Sequence, residues 1–246
     1  MSNLFLTLSC LLFANLAIAS GNNSVYLSGK IGISVINTFD ASLQTKGPTE
    51  SSFTTQKFDD QSQSVFSNQI AVGYNFYPQF LVPIRSELEL SMRGKSKASY
   101  NVEKVSSPTE GSASVNMENN ATLATLMFNT YYDMKNDTPF TPYITLGLGL
   151  ASTKYQKMIH VTVNHPQGFW EASDSRSKRL NNFAWSLGIG SQYALNDNLS
   201  FDLGYRFLDA GKYQISTSNT FNHGSADSSS IKLRSHDLMF GVAYRF

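Results

Sequence analysis

Charge is scarce in this 246-residue chain: Asp, Glu, Lys and Arg supply 15% of it and nearly cancel, leaving a formal +1. No nucleic-acid partner is expected from so balanced a sequence. Cysteine is scarcer still, with Cys10 the sole example. It falls within the uncharged stretch "LFLTLSCLLFANLAIA" (4–19), which is too short for a membrane-spanning helix and ends in the small-x-small triplet Ala17-Ile18-Ala19. Residues 1–19 therefore read as a cleaved secretory signal peptide, leaving residues 20–246 as the working domain. That domain would hold no cysteine, which excludes disulfides and thiol chemistry. Beyond Ala19 no apolar run reaches the roughly 20 residues that a transmembrane helix needs.

What the chain has instead is alternation. In the closing "HDLMFGVAYRF" (236–246), Leu238, Phe240, Val242, Tyr244 and Phe246 share one parity, and Asp237, Met239, Gly241, Ala243 and Arg245 the other. The same period of two runs through "VYLSGKIGISVI", "VFSNQIAVGYNFY", "PIRSELELSMRG", "ATLATLMFNTYYD", "PYITLGLGLAS", "NFAWSLGIGSQYAL" and "LSFDLGYRF". A period of two over about ten residues is a strand signal, and there are eight such segments.

A secreted soluble barrel would also alternate, but three observations favour a membrane barrel. The segments have the 9–11 residues that a tilted strand needs to cross hydrocarbon, whereas soluble strands average about five or six. One parity is almost free of charge, as lipid requires, because a cation at the bilayer midplane costs roughly 2–4 kcal/mol. The other carries small residues and charges of both signs: Lys30, Arg85, Glu87, Glu89, Arg93, Asp202, Arg206 and Arg245. Finally, the links alternate. They are short near 78–81, 135–141 and 196–198, and long and polar over 38–64, 95–120, 156–180 and 209–231. Lipid leaves no backbone group unpaired, so strands can span it only in a closed sheet. The expected fold is all-β: an eight-stranded antiparallel transmembrane β-barrel, an up-and-down meander with short periplasmic turns and four long extracellular loops. These charges would fill the lumen as a salt-bridge network, since eight strands enclose space for side chains only. Aromatics at strand ends (Tyr74, Phe76, Tyr132, Tyr193, Phe201, Tyr244 and Phe246) would form an interfacial girdle.

"TPYITLGLGLAS" (141–152), "FAWSLGIGSQYALNDNLSFDLGYRF" (183–207) and "HDLMFGVAYRF", with "PIRSELELSMR" (83–93) and "NTYYD" (129–133), resemble the strands of opacity-type outer-membrane proteins. That group comprises Opa and neisserial surface protein A and shares the architecture of the OmpA transmembrane domain. The resemblance implies a Gram-negative outer-membrane location with cell-surface loops, and a role as adhesin or surface antigen whose specificity sits in those loops. It also implies contact with outer-membrane lipids and lipopolysaccharide. Phe240, Tyr244 and Phe246 resemble the terminal signature read by the outer-membrane insertion machinery.

Other chemistry finds little support. Gly147-Leu148-Gly149 lacks the third glycine and the helix of a phosphate-cradling loop. Ser235-His236-Asp237 holds triad residue types, but His236 has the opposite parity to its neighbours, and a triad must converge. Glu87 and Glu89 share a strand face with several cations and read as ion-pair partners rather than as a glycosidase pair. No metal site and no cofactor are expected from His160, His165, His223 and His236. The third long link differs from the rest in combining Lys154, Lys157, Arg176, Lys178 and Arg179 with Tyr155, Phe169 and Trp170, residue types enriched at binding hot spots. They would suit a host receptor, a sulfated glycan or lipopolysaccharide phosphates, unless 158–163 and 169–172 simply prolong the hairpin with the aromatics packed on each other. Loops two and four read as flexible polar segments. The leading function is a non-enzymatic surface protein binding host or envelope ligands. The alternatives are a narrow porin-like channel or structural barrel and, after them, a lipid-modifying enzyme.

Overall fold

The structure of the chain, a computed structural model, describes residues 24–46, 53–57, 59–107, 111–165, 168–218 and 226–246. The expected leader over 1–19 lies outside them. The alternating segments form β1 (Val25–Lys46), β2 (Phe53–Lys57), β3 (Gln61–Asn75), β4 (Ile84–Arg93), β5 (Ser96–Ser107), β6 (Gly111–Asp133), β7 (Phe140–His165), β8 (Gly168–Ala194), β9 (Leu199–Ser218) and β10 (Ala226–Arg245). One helical turn, α1 (Tyr77–Phe80), joins β3 to β4 and is closed by Leu81 in the left-handed conformation.

Eight of these strands make the wall, in the order β10-β9-β8-β7-β6-β4-β3-β1, and β1 pairs with β10 to close it; all pairings are antiparallel. A ladder followed from Arg234 of β10 around the wall returns to β10 at Tyr244, ten residues away. Such a stagger tilts the strands by roughly 35–45°. The apolar parity faces out: Ile70, Phe128, Leu148, Ile189, Leu203 and Leu238 are exposed, at different points around the wall. A continuous apolar belt of this kind far exceeds what a soluble monomer exposes, and acyl chains are its natural solvent.

The interior has two storeys. The periplasmic half is polar and charged. Above it lies an apolar cluster of Ile36, Leu123, Met127, Ala151, Ala184, Leu208, Ala210, Tyr213 and Leu233, with Val65, Leu180 and Ile231 packed against it. The expected network of charges among small residues fills the periplasmic half only, and the apolar storey above it adds to that expectation. Leu208 and Leu233 take the inward parity where the strands leave the polar layer, and an apolar side chain there needs no partner for its atoms.

The external links are corrected. The stretches read as long polar links over 38–64, 95–120, 156–180 and 209–231 are largely strand among the described residues, in β1, β2, β3, β5, β6, β7, β8, β9 and β10. Above the membrane both faces of a ribbon meet water, so the sequence there loses its apolar alternation without losing the ladder. The β6–β7 ladder rises to Ser112↔Asn164, and β7–β8 runs to His165↔Gly168. The β9–β10 ladder rises to Ser218↔Ala226, and β1–β2 to Lys46↔Phe53. By contrast, β8–β9 pairing stops at Trp185↔Asp209 and β3–β4 pairing at Ser67↔Arg93. The described wall therefore continues outward as two four-stranded blades, β5-β6-β7-β8 and β9-β10-β1-β2.

Candidate functional site

Inside the wall, four buried cations (Lys30, Arg85, Arg93 and Arg206) meet five buried carboxylates (Glu87, Glu89, Asp133, Asp202 and Asp237). Alternation turns every one of these side chains inward, and each carboxylate is close to a cation or a hydrogen-bond donor. Arg85 grips Asp133 with two hydrogen bonds, Nε–Oδ2 2.8 Å and Nη2–Oδ1 2.9 Å. Its guanidinium lies 4.5 Å from the Tyr131 ring centre. Lys30 Nζ is 2.9 Å from Asp202, which also accepts from the Tyr143 hydroxyl at 2.9 Å. Tyr131 donates to Glu87 at 2.7 Å. Higher up, Asp237 is a hub: Arg93 Nη2 donates to it at 2.6 Å, Arg206 at 3.0 and 3.1 Å, and Ser34 at 2.5 Å. Ser235 donates to it as well. Arg206 reaches across to Glu89 at 2.6 Å. A void of about 30 Å³ beside Lys30, Gln69, Glu89 and Asn129 is on the scale of one or two waters.

Arg245 stands apart from this network. It is half-buried, its carbonyl accepts from Asn198 at 3.0 Å, and its guanidinium makes no ion pair among the described residues. Asp133 and Asp237 belong to the network but are absent from the set singled out by sequence. Both have the polar parity of their strands, which was signal enough to find them. Ser235 and Asp237 point inward with 0% exposure and are committed to Arg93. His236 lies on the other face, its Nδ1 2.6 Å from the Tyr205 hydroxyl and its ring edge-on to Phe207. The three triad types do not converge. Among the described residues no group of three His, Cys, Asp or Glu could hold a metal; the His165 side chain and His223 lie outside them.

Of the terminal residues, Phe240, Tyr244 and Phe246 all face outward. Phe240 stacks on Phe201 with centroids 5.9 Å apart, Tyr244 meets Phe246 edge-on at 5.3 Å, and the Phe246 amide donates to the Val25 carbonyl at 3.1 Å.

The third link is a ribbon rather than a loop, with a register that places like charges side by side. Lys154 sits opposite Arg179, Tyr155 opposite Lys178, and Lys157 opposite Arg176. Lys154, Lys178 and Arg179 are exposed and Tyr155 is half-buried, while the side chains of Lys157 and Arg176 lie outside the described set. Near the tip, Phe169 and Trp170 pair with Asn164 and Val163 and are 65% and 58% exposed. Residues 158–163 and 169–172 do prolong the hairpin, but Phe169 and Trp170, being consecutive in a strand, project to opposite faces and do not pack on each other. At the foot of the other blade, Lys232 is 2.6 Å from Asp40 and Arg234 is 3.0 Å from Asp209. The Lys232 ammonium holds the Asp40 carboxyl below its usual range.

A closed wall with lipid-facing apolar groups, a sealed charged centre and polar blades on one side defines a transmembrane β-barrel of the bacterial outer membrane. The family follows: the chain matches the outer membrane protein beta-barrel domain over residues 4–246 and belongs to that family. It is 35% identical over 237 residues to the outer membrane protein PagN of Salmonella typhimurium, covering 94% of this chain and 93% of that one. It is 25% identical over 186 residues to a Rickettsia bellii protein named "Putative adhesin", covering 75% and 76%. Among solved structures, neisserial surface protein A aligns over 90% of this chain and 97% of its own, with 17% identity and a TM-score of 0.40. The outer-membrane location and the transmembrane β-barrel expected from the sequence are thereby met.

Proposed function

We propose that the protein is a non-enzymatic surface adhesin that binds a host receptor or glycan through its blades, chiefly through the β7–β8 hairpin. The observation that carries this reading is the pair Phe169 and Trp170, held exposed at the end of a regular ribbon rather than in a collapsed loop. Large rigid aromatics give contact area at low entropic cost, and the cations beneath them, Lys178 among them, add attraction for acidic sugars. The adhesin name given to the Rickettsia bellii relative supports the same class. The channel alternative is disfavoured because the charged storey and the apolar storey both obstruct the lumen. A lipid-modifying activity is disfavoured because His236 faces lipid away from Ser235 and Asp237. In this reading the leader over 1–19 is removed, residues 20–246 act, and Phe240, Tyr244 and Phe246 serve recognition by the insertion machinery.

The test displays the full chain on whole cells against an array of matrix proteins and glycans. Phe169→Ala with Trp170→Ala is expected to lower binding at least ten-fold while heat-modifiable gel mobility, the sign of a folded barrel, is retained. Equal binding by a folded double variant would overturn the assignment.

A further inference from the structure

The three short links on the periplasmic side differ in chemistry. The β6–β7 and β8–β9 links, "MKNDTP" (134–139) and "LNDN" (195–198), present Lys135, Asp137 and Asp197 in exposed positions. The β3–β4 link is "FYPQFLVP" (76–83), and no charged residue occurs anywhere between Asp60 and Arg85. Turns that meet water favour Gly, Asn, Asp and Ser. Here the turn presents Tyr77, Phe80, Leu81 and Val82 at 37, 55, 76 and 40% exposure, and Leu81 is the most exposed large apolar residue described.

The link is tied down. The Phe76 amide donates to the Ile84 carbonyl at 3.0 Å, and the Phe80 and Leu81 amides donate to the Phe76 and Tyr77 carbonyls at 2.9 Å. The Tyr77 amide donates to the Asn75 side chain at 3.0 Å. Leu81 ends the turn at φ +57°, the left-handed conformation that glycine or asparagine normally takes there. A leucine in that conformation meets unfavourable backbone sterics, yet it holds an apolar side chain outward.

Tyr74 sets the position of α1. Its side chain has the outward parity of β3, shared with Ile70 and Val72. Its hydroxyl donates to Gln79 Oε1 at 2.5 Å, so α1 folds back on the lipid side of the wall instead of lying beneath the lumen. Aromatic rings extend the contact: Phe76 meets Tyr74 edge-on with centroids 4.9 Å apart, and Phe80 lies 6.3 Å from Phe76. The Lys135 ammonium sits 4.8 Å from the centre of the Tyr77 ring. The apolar surface of α1 is thus continuous with the lipid-facing belt.

We infer that α1 and the residues after it form a foot that binds phospholipid of the periplasmic leaflet, with Phe80, Leu81 and Val82 at the acyl-chain boundary and Tyr77 and Lys135 among the headgroups. Continuity with the belt identifies the occupant, because rings and apolar tips beside a hydrocarbon surface settle at its interface. The other two links are polar and stay in water, so the foot holds down the β3–β4 side of the rim alone. The inference is independent of the adhesin reading, which concerns the opposite end of the wall.

The experiment uses the full chain in phosphatidylcholine nanodiscs with Trp170→Phe and Trp185→Phe, which removes both native tryptophans. A single tryptophan is then introduced by Leu81→Trp, by Val82→Trp or, for comparison, by Asn136→Trp in the polar β6–β7 link. Lipids brominated near the carbonyl end of their acyl chains should quench the first two roughly three-fold more than the third, and aqueous iodide should give the reverse order. Heat-modifiable gel mobility confirms folding of each variant, and Val82→Trp keeps the test decisive if Leu81→Trp does not fold. In cells, Leu81→Cys should resist a membrane-impermeant maleimide admitted to the periplasm, whereas Asn136→Cys and Asp197→Cys should react. Iodide quenching at positions 81 and 82 equal to that at 136 would overturn the inference. Protection of Leu81→Cys in cells combined with iodide access in nanodiscs would overturn the lipid occupant and assign the foot to a periplasmic protein.

Discussion

Replacing Asp237 by Asn should do more harm than any other single isosteric change in the barrel. The carboxylate accepts from Arg93 at 2.6 Å and from Arg206 at 3.0 Å, inside a lumen where all three side chains are nearly or fully buried. At such separations and an effective dielectric near 20, each attraction is worth roughly 5 kcal/mol before desolvation is subtracted. Removing one partner of a buried pair typically costs about 3–5 kcal/mol, because the charge left behind cannot return to water. Arg206 keeps Glu89, but Arg93 is left with only Ser91 and Ser235 among the described partners. The expected loss is therefore about 4 kcal/mol. It would be read as a lowered urea midpoint for barrels folded in vesicles, scored by heat-modifiable gel mobility. Adding Arg93→Met should recover at least half of the loss, since it removes the stranded charge along with its partner. Asp40→Asn, which breaks the exposed pair with Lys232, should leave the midpoint where it was. A cost below about 1 kcal/mol for Asp237→Asn, or no recovery in the double variant, would refute the view that buried charge pairing organises the lumen.

Two further outcomes test the interior. Arg206→Gln and Glu89→Gln should leave planar bilayers non-conducting, because Leu123, Leu208 and Leu233 still close the lumen above the altered layer; conductance steps in the unmodified protein would contradict that seal. Gly190→Val should destabilise the barrel by about 1–3 kcal/mol through overpacking, since a Cβ there would fall 2.4 Å from the Tyr143 ring and 2.6 Å from the Leu203 carbonyl. Gly29→Ala, where a Cβ meets nothing within 4 Å, should be silent in the same urea titration.

The membrane half of the fold was legible because lipid imposes a strict rule on each position. Leu146 and Leu203 must face acyl chains, so Thr145 and Asp202 must face inward, and parity alone assigns both. Partner choice was not legible. Arg206 lies directly opposite Asp237 in the β9–β10 ladder, but that it would also reach Glu89 across the lumen depends on the ten-residue stagger of the wall, which no single strand encodes. The outer half was harder still. Residues 111–120 and 156–165 alternate weakly because both faces of a ribbon in water accept polar side chains, so they looked like loops. The apolar storey was hidden for a related reason. Ile36 follows Val35, and Leu208 follows Phe207, so two apolar residues in succession blur the period where one faces lipid and the next faces the core. The cationic residues of the hairpin were visible by type, but their division between two faces required the Lys154↔Arg179 register.

The continuity of β7 from Phe140 to His165 has a mechanical consequence. A ligand caught at the tip and dragged by flow would pull along the strand axes, loading the ladders to β6 and β8 in shear. Many hydrogen bonds then share the force at once, rather than parting one after another as in an unzipping hairpin. The covalent path leads straight to the lipid-clamped wall, with no hinge between grip and anchor.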